Sequence, residues 1–159
     1  FVERAQQELA ALAAETASLP LRLVVGNVAP AATKLGKRVL NTASVLHLGR
    51  EVFRQTKMLL PTYDVFDEGR YFYPAESQDI FALGPEPVAL TVCEDAWNSA
   101  DFIEHPLYQR DPIDELHQRG ARALLSINAS PYEMGKRELR RRHFSAVARE
   151  YQIPCAYVN

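Results

Sequence analysis

VALTVCEDAW, residues 88–97, runs apolar and β-branched residues straight into a cysteine, two acids and a tryptophan. The stretch from Val88 to Val92 reads as a strand buried in a sheet. Glu94 and Asp95 suit the first turn of a helix, where carboxylates meet the positive end of the backbone dipole. Cys93 therefore sits where a strand hands over to a helical turn. One reading is a buried structural thiol, because free cysteine is among the most buried residue types. The other is a nucleophile, lifted out of the sheet by a sharp turn whose following backbone N–H groups are free to bind an oxyanion. The second reading needs a partner, since the thiolate is the reactive form and a free thiol titrates near about 8.5.

Strands and helices continue on both sides. Downstream, IDELHQRGA (113–121) is a short helix closing on Gly120, ARALLSINAS (121–130) a strand, and PCAYVN (154–159) the start of another. KRELRRRHFSAVAREY (136–151) sets Leu139, Phe144, Val147 and Tyr151 near one side of a helix and arginines on the other, a band best read as a solvated face. Upstream, DIFALG (79–84) pairs with PVALTV (87–92) around Pro85-Glu86-Pro87. The first eighteen residues form a helix with Val2, Ala5, Leu9, Leu12 and Ala13 on one face, stopped by Pro20. LRLVVGNVA (21–29) is a strand, and RVLNTASVLHL (38–48) and EVFRQTKML (51–59) make a half-buried hairpin about Gly49-Arg50. Residues 60–77 have no period but many aromatics, the mark of a long ordered loop. Hairpins followed by alternating strands and helices predict an α/β fold, a mixed sheet covered by helices. The chain reads as one partial domain over residues 1–159, incomplete at both ends, with no second domain.

An apolar fraction of 47%, a charged fraction of 24% and a net charge of -2 fit a soluble globular protein and give no reason to expect nucleic acid. No apolar run reaches the roughly 18 residues a membrane span needs, and the first residues lack a signal-peptide core. A cytoplasmic setting is expected, with Cys93 and Cys155 as free thiols, Cys155 in the core, and no metal site.

Two schemes could activate Cys93. In a cysteine–histidine scheme one of His47, His105, His117 or His143 is the base, although each also reads as a strand-surface, pre-proline or helix-surface histidine. In the other, Lys57 at the end of a strand supplies the cation and Glu68, eleven residues on, a carboxylate. Lys57 also reads as an exposed strand-end lysine, and Glu68 as a carboxylate making a turn.

The pattern K-x-x-L-P-x-Y-x-x-F-x-E at 57–68, C-E-D-x-W at 93–97 and SINASPYEMGK at 126–136, in that order, resembles the nitrilase (carbon-nitrogen hydrolase) superfamily and, within it, the glutaminase domain of glutamine-dependent NAD+ synthetases. The resemblance implies a four-layer α-β-β-α sandwich, here incomplete at both ends, and a Glu-Lys-Cys triad. It assigns Cys93 as nucleophile, Lys57 as the cation that stabilises the oxyanion, and Glu68 as the second glutamate, which holds the lysine and shapes the pocket. It implies that Tyr63, Glu94, Ser130 and Lys136 hold glutamine, Glu94 through the α-ammonium. Read without it, Tyr63 packs on Phe66, Ser130 is a turn residue and Lys136 a helix-start lysine. No residue here matches the general-base glutamate, since Glu3, Glu8 and Glu15 lie on a helix face, so these residues alone are expected not to turn over. The implied reaction is hydrolysis of the glutamine amide through a cysteine thioester, supplying ammonia for ATP-dependent amidation of deamido-NAD. ATP and Mg would bind in a synthetase domain outside this chain, no cofactor is expected within it, and a homo-oligomer is implied. The alternatives are a stand-alone amidase acting on another small amide, and an inactive scaffold.

Overall fold

The computed structural model describes residues 1–33, 36–98, 107–131 and 133–159 of the chain, which divides into two compact units, 1–77 and 78–159. Each unit is one sheet with its helices. Two sheets thus replace the single mixed sheet suggested by element order alone.

The first unit opens with α1 (Val2–Glu15), followed by the antiparallel meander β1 (Leu23–Pro30), β2 (Val39–His47) and β3 (Arg50–Thr56). Leu9 and Ala13 of α1 bury against Leu46, with Leu12, Leu23 and Val25 around them. Each large apolar side chain so withdrawn from water stabilises the fold by about 1.5–3 kcal/mol. The helix ends well before Pro20: the Thr16 hydroxyl donates to the Leu12 carbonyl at 2.8 Å, and the Thr16 and Ala17 amides close the last turn. Thr42 through Leu46 are all buried, so β2 is covered on both faces rather than half buried as the alternation had suggested. The β2–β3 turn is Leu48-Gly49, one residue earlier than the sequence reading. Both take positive φ, +48° and +81°, as a type I′ turn requires. A leucine is an unusual first residue there, which is why the sequence pointed elsewhere.

Residues 60–77 follow the meander as the expected ordered segment. The Tyr73 amide bonds the Val39 carbonyl at 2.8 Å, and the Ala75 amide bonds that of Lys57 at 3.0 Å. Just before them lies the single-turn helix α2 (Glu68–Tyr71), whose first amide donates to the Pro61 carbonyl at 3.0 Å.

In the second unit β4 (Ile80–Leu83) is antiparallel to β5 (Glu86–Val92), and β5, β6 (Ala123–Ile127) and β7 (Cys155–Val158) run parallel. The β4–β5 loop is Gly84-Pro85, with Gly84 at φ +65°. The helices α3 (Pro112–Gln118) and α4 (Lys136–Tyr151) make the crossovers. Asp111 caps α3, its Oδ1 accepting from Ile113 at 2.9 Å and Asp114 at 3.3 Å, with Pro112 in the first helical position. Burial raises the pKa of the Asp111 carboxyl despite those two amides. Ile113, Leu116, Leu124, Phe144 and Val147 form the core under β5 and β6.

Candidate active site

The cation of the first unit is placed by β3. Lys57 follows its last residue, with its amide on the Asn41 carbonyl at 2.9 Å and its own carbonyl held by Ala75. The side chain is fully withdrawn from solvent, unlike the strand-end lysine the bare sequence allows, and Nζ lies 2.7 Å from Glu68 Oε1. Asn41 Nδ2 donates to the other oxygen, Oε2, at 3.2 Å. An ammonium buried alone is costly; here one carboxylate neutralises it and is itself aimed by Asn41. Asn41 was missed by sequence reading, because its side chain meets Glu68 only through the β2–β3 pairing. Tyr63 meets Phe66 edge-on at 6.1 Å, the packing role that was its alternative.

In the second unit Cys93 directly follows β5 and opens a 3-10 turn, Cys93–Ala96. Its φ is +48°. A non-glycine residue in that region costs about 1–3 kcal/mol and persists where the surroundings over-determine it, commonly at active sites. Three bonds secure the turn. The Trp97 amide donates to Glu94 at 2.9 Å, Asp95 Oδ2 accepts from the Val92 amide at 3.4 Å, and Gln78 Nε2 donates to Oδ2 at 2.8 Å. The Glu94 carboxylate is also buried, and its Oε1 accepts from the Tyr108 hydroxyl at 3.2 Å. Asn98 holds Tyr108 in place through the Tyr108 and Arg110 carbonyls, at 2.9 and 2.7 Å. Gln78, Asn98 and Tyr108 carried no site signal in the sequence, and Asp95 was read only as a carboxylate of the helical first turn.

Lys136 begins α4 with its ammonium 5.9 Å from the centre of the Trp97 ring, one residue beyond the turn. Ser130 belongs to another set: its amide bonds Asn159 Oδ1 at 3.0 Å, and its hydroxyl lies 3.3 Å from that of Tyr157. Arg140 reaches the Ser130 and Pro131 carbonyls at 3.4 and 3.3 Å and lies over the Tyr157 ring. The arginine run is thus a solvated face at Arg137, Arg141 and Arg142 but not at Arg140.

Of the histidines, His47 Nδ1 lies 2.9 Å from the Leu21 carbonyl, His117 packs on the Tyr151 ring at 4.9 Å, and His105 lies outside the described residues. His143, read as a helix-surface residue, is instead fully buried. Its Nε2 bonds the Ala96 carbonyl and its ring stacks on Trp97, centroids 4.5 Å apart and planes within 9°. Burial lowers the His143 pKa, against the opposing pull of Ala96. Cys155 is half buried at the edge of the core, and burial pushes its thiol up to about 11.

No family model matches the chain. Curated relatives do. A glutamine-dependent NAD+ synthetase of Synechocystis sp. is 37% identical over 162 residues, covering 100% of this chain and 29% of the relative. One of Rhodobacter capsulatus is 36% identical over 159 residues, covering 100% and 26%. The chain is homologous to part of the glutamine-dependent NAD+ synthetases. It spans between a quarter and a third of the length of those two synthetases. Among solved structures, the NAD+ synthetase of Acinetobacter baumannii, in complex with adenosine diphosphate, matches with a TM-score of 0.81 and 29% identity over 99% of this chain and 27% of that one. A Nesterenkonia amidase of the nitrilase superfamily matches with a TM-score of 0.71 and 22% identity over 99% and 53%. The fold is therefore of the nitrilase type, as the resemblance implied. Among the described residues no helix is long and apolar enough to cross a membrane.

Proposed function

We propose that this chain is the ammonia-releasing glutaminase part of a glutamine-hydrolysing NAD+ synthetase. The observation that carries the reading is the buried Lys57–Glu68 pair, a cation withdrawn from water in a homologue of enzymes named for glutamine use. In this reading Lys57 supplies the positive charge that favours the Cys93 thiolate. The sulfur attacks the side-chain carbonyl carbon of glutamine. Negative charge gathers on the oxygen, which Lys57 and the Glu94 amide stabilise. Collapse of the tetrahedral intermediate breaks the C–N bond, the departing nitrogen takes a proton, and ammonia leaves a γ-glutamyl thioester on Cys93. Water then cleaves the thioester, releasing glutamate and the thiol.

The proton carrier is a glutamate supplied from outside these residues. Glu3, Glu8 and Glu15 on α1 all face solvent, which supports leaving them out of the chemistry. In this reading Tyr63, Ser130 and Lys136 help hold glutamine, and Glu94 does so through its α-ammonium. The ammonia is consumed in ATP- and Mg-dependent amidation of deamido-NAD in a further domain, within a cytoplasmic homo-oligomer. No residue of this chain is assigned to ATP.

In the full-length gene product, Cys93→Ala is expected to abolish glutamine-driven NAD synthesis while synthesis from free ammonia continues. Loss of both activities, or of neither, overturns the assignment. Wild-type turnover of small aliphatic amides with none of glutamine would instead identify a stand-alone amidase.

A further inference from the structure

The left-handed backbone at Cys93 is held in part by its own turn, and α4 adds a hold from outside it. His143 is fully buried, donates from Nε2 to the carbonyl of Ala96, the last residue of the turn, and stacks on Trp97, the next one. Phe144 meets both rings edge-on, at 6.1 Å from Trp97 and 5.1 Å from His143, so neither ring can rotate freely. On the other side Asp95 and Gln78 grip the start of the turn. The turn is therefore clamped at both ends, and the clamp at its far end is one imidazole.

We propose that His143 is a positioning residue for the nucleophile: its Nε2–H bond to Ala96 and its stack on Trp97 fix the turn that aims the Cys93 sulfur. The inference rests on the glutaminase reading above. His143 acts through backbone and ring, not as acid or base, and its role is to keep the turn, and with it the Glu94 amide, in register with the scissile carbonyl. Small misplacements of reacting groups are costly, on the order of 10²-fold in rate for about 1 Å. Their signature is a fall in kcat with substrate affinity retained.

Three variants of the full-length protein test this. His143→Phe keeps the ring and removes the donor, whereas His143→Gln can bring an amide N–H near the Nε2 position and His143→Asn cannot reach as far. Glutamine-driven kcat is expected to fall at least about 10-fold in His143→Phe and His143→Asn, with KM within about 2-fold, and to recover largely in His143→Gln. Synthesis from free ammonia should not change, and alkylation of Cys93 by iodoacetamide should slow in parallel with kcat. Equal kcat in wild type and His143→Phe overturns the proposal, as does an equal loss in Gln and Asn variants that are both folded. Should His143→Phe not fold, the Gln–Asn comparison decides alone. If Cys93→Ala itself leaves glutamine turnover intact, the glutaminase reading fails; if it abolishes turnover while the His143 variants are all active, only the positioning role fails.

Discussion

Lys57 Nζ and Glu68 Oε1 lie 2.7 Å apart, yet the two partners are unequally buried: the lysine side chain is wholly enclosed, while a fifth of the glutamate side chain is still wetted. Glu68 also keeps a bond from Asn41 that does not depend on the lysine. The pair should therefore break asymmetrically.

Glu68→Ala strands a buried ammonium and should cost about 3–5 kcal/mol in urea unfolding. Lys57→Met leaves a carboxylate that still has Asn41 and some water, so its cost should be less than half as large. A larger loss in Lys57→Met would contradict this account of the pair.

The two thiols should separate chemically. At pH 8 the Cys155 thiol, with its pKa pushed up to about 11 by burial, is almost entirely protonated. It should alkylate roughly a hundred-fold more slowly than Cys93, as read by mass spectrometry after iodoacetamide. On the proposed glutaminase reading, in which Lys57 acts on the sulfur, Lys57→Met should slow the Cys93 reaction by about tenfold at pH 7 without altering Cys155, because an opposite charge favours a thiolate by about a pKa unit or more. An unchanged Cys93 rate would place the ammonium away from the sulfur.

His143 gives the fold an acid sensitivity whose sign is fixed. Burial depresses its pKa, so the folded protein binds a proton less readily than the unfolded chain, where a histidine titrates near about 6.5. Above that pH neither state is protonated and the contribution is complete. Below it the unfolded state gains the proton first, and stability falls by up to about 1.4 kcal/mol per pH unit until the buried ring titrates. Between pH 7 and 5.5 the urea midpoint of wild type should fall more steeply than that of His143→Phe; parallel slopes would show that another group is responsible.

Leu48 occupies a turn position that asparagine fills with less strain. Leu48→Asn, giving Asn-Gly at φ +48° and +81°, should raise stability by about 0.5–1 kcal/mol. Gly49→Ala should cost about 1 kcal/mol or more, since its φ is positive and an added Cβ would stand 3.2 Å from that of Ala17. Thermal melts of the two single variants should move in opposite directions.

The parts of the fold that followed from the sequence are those set by local pattern. The face of α1 at Leu9 and Ala13, the strand before Cys93 and the β3 run before Lys57 all show in the spacing of apolar residues. What could not be read depends on pairings between distant segments. Asn41 reaches Glu68 across 27 positions and His143 reaches Ala96 across 47, and neither is marked by its neighbours. His143 was further disguised by the arginines before it, which suggested a solvated surface although one turn of helix separates a wet side from a dry one. The Leu48-Gly49 turn was misplaced because a leucine took a conformation that asparagine or glycine would have announced.

The left-handed φ of Cys93 also bears on which chemistries natural variation could reach from this scaffold. Serine, unbranched at Cβ, could replace the sulfur with oxygen at little conformational cost. Threonine could not, because a β-branched side chain at φ +48° crowds its own backbone. At this elbow a cysteine thioester or a serine ester is therefore accessible as a covalent intermediate, whereas a hydrolase built on a threonine hydroxyl would need a different strand end.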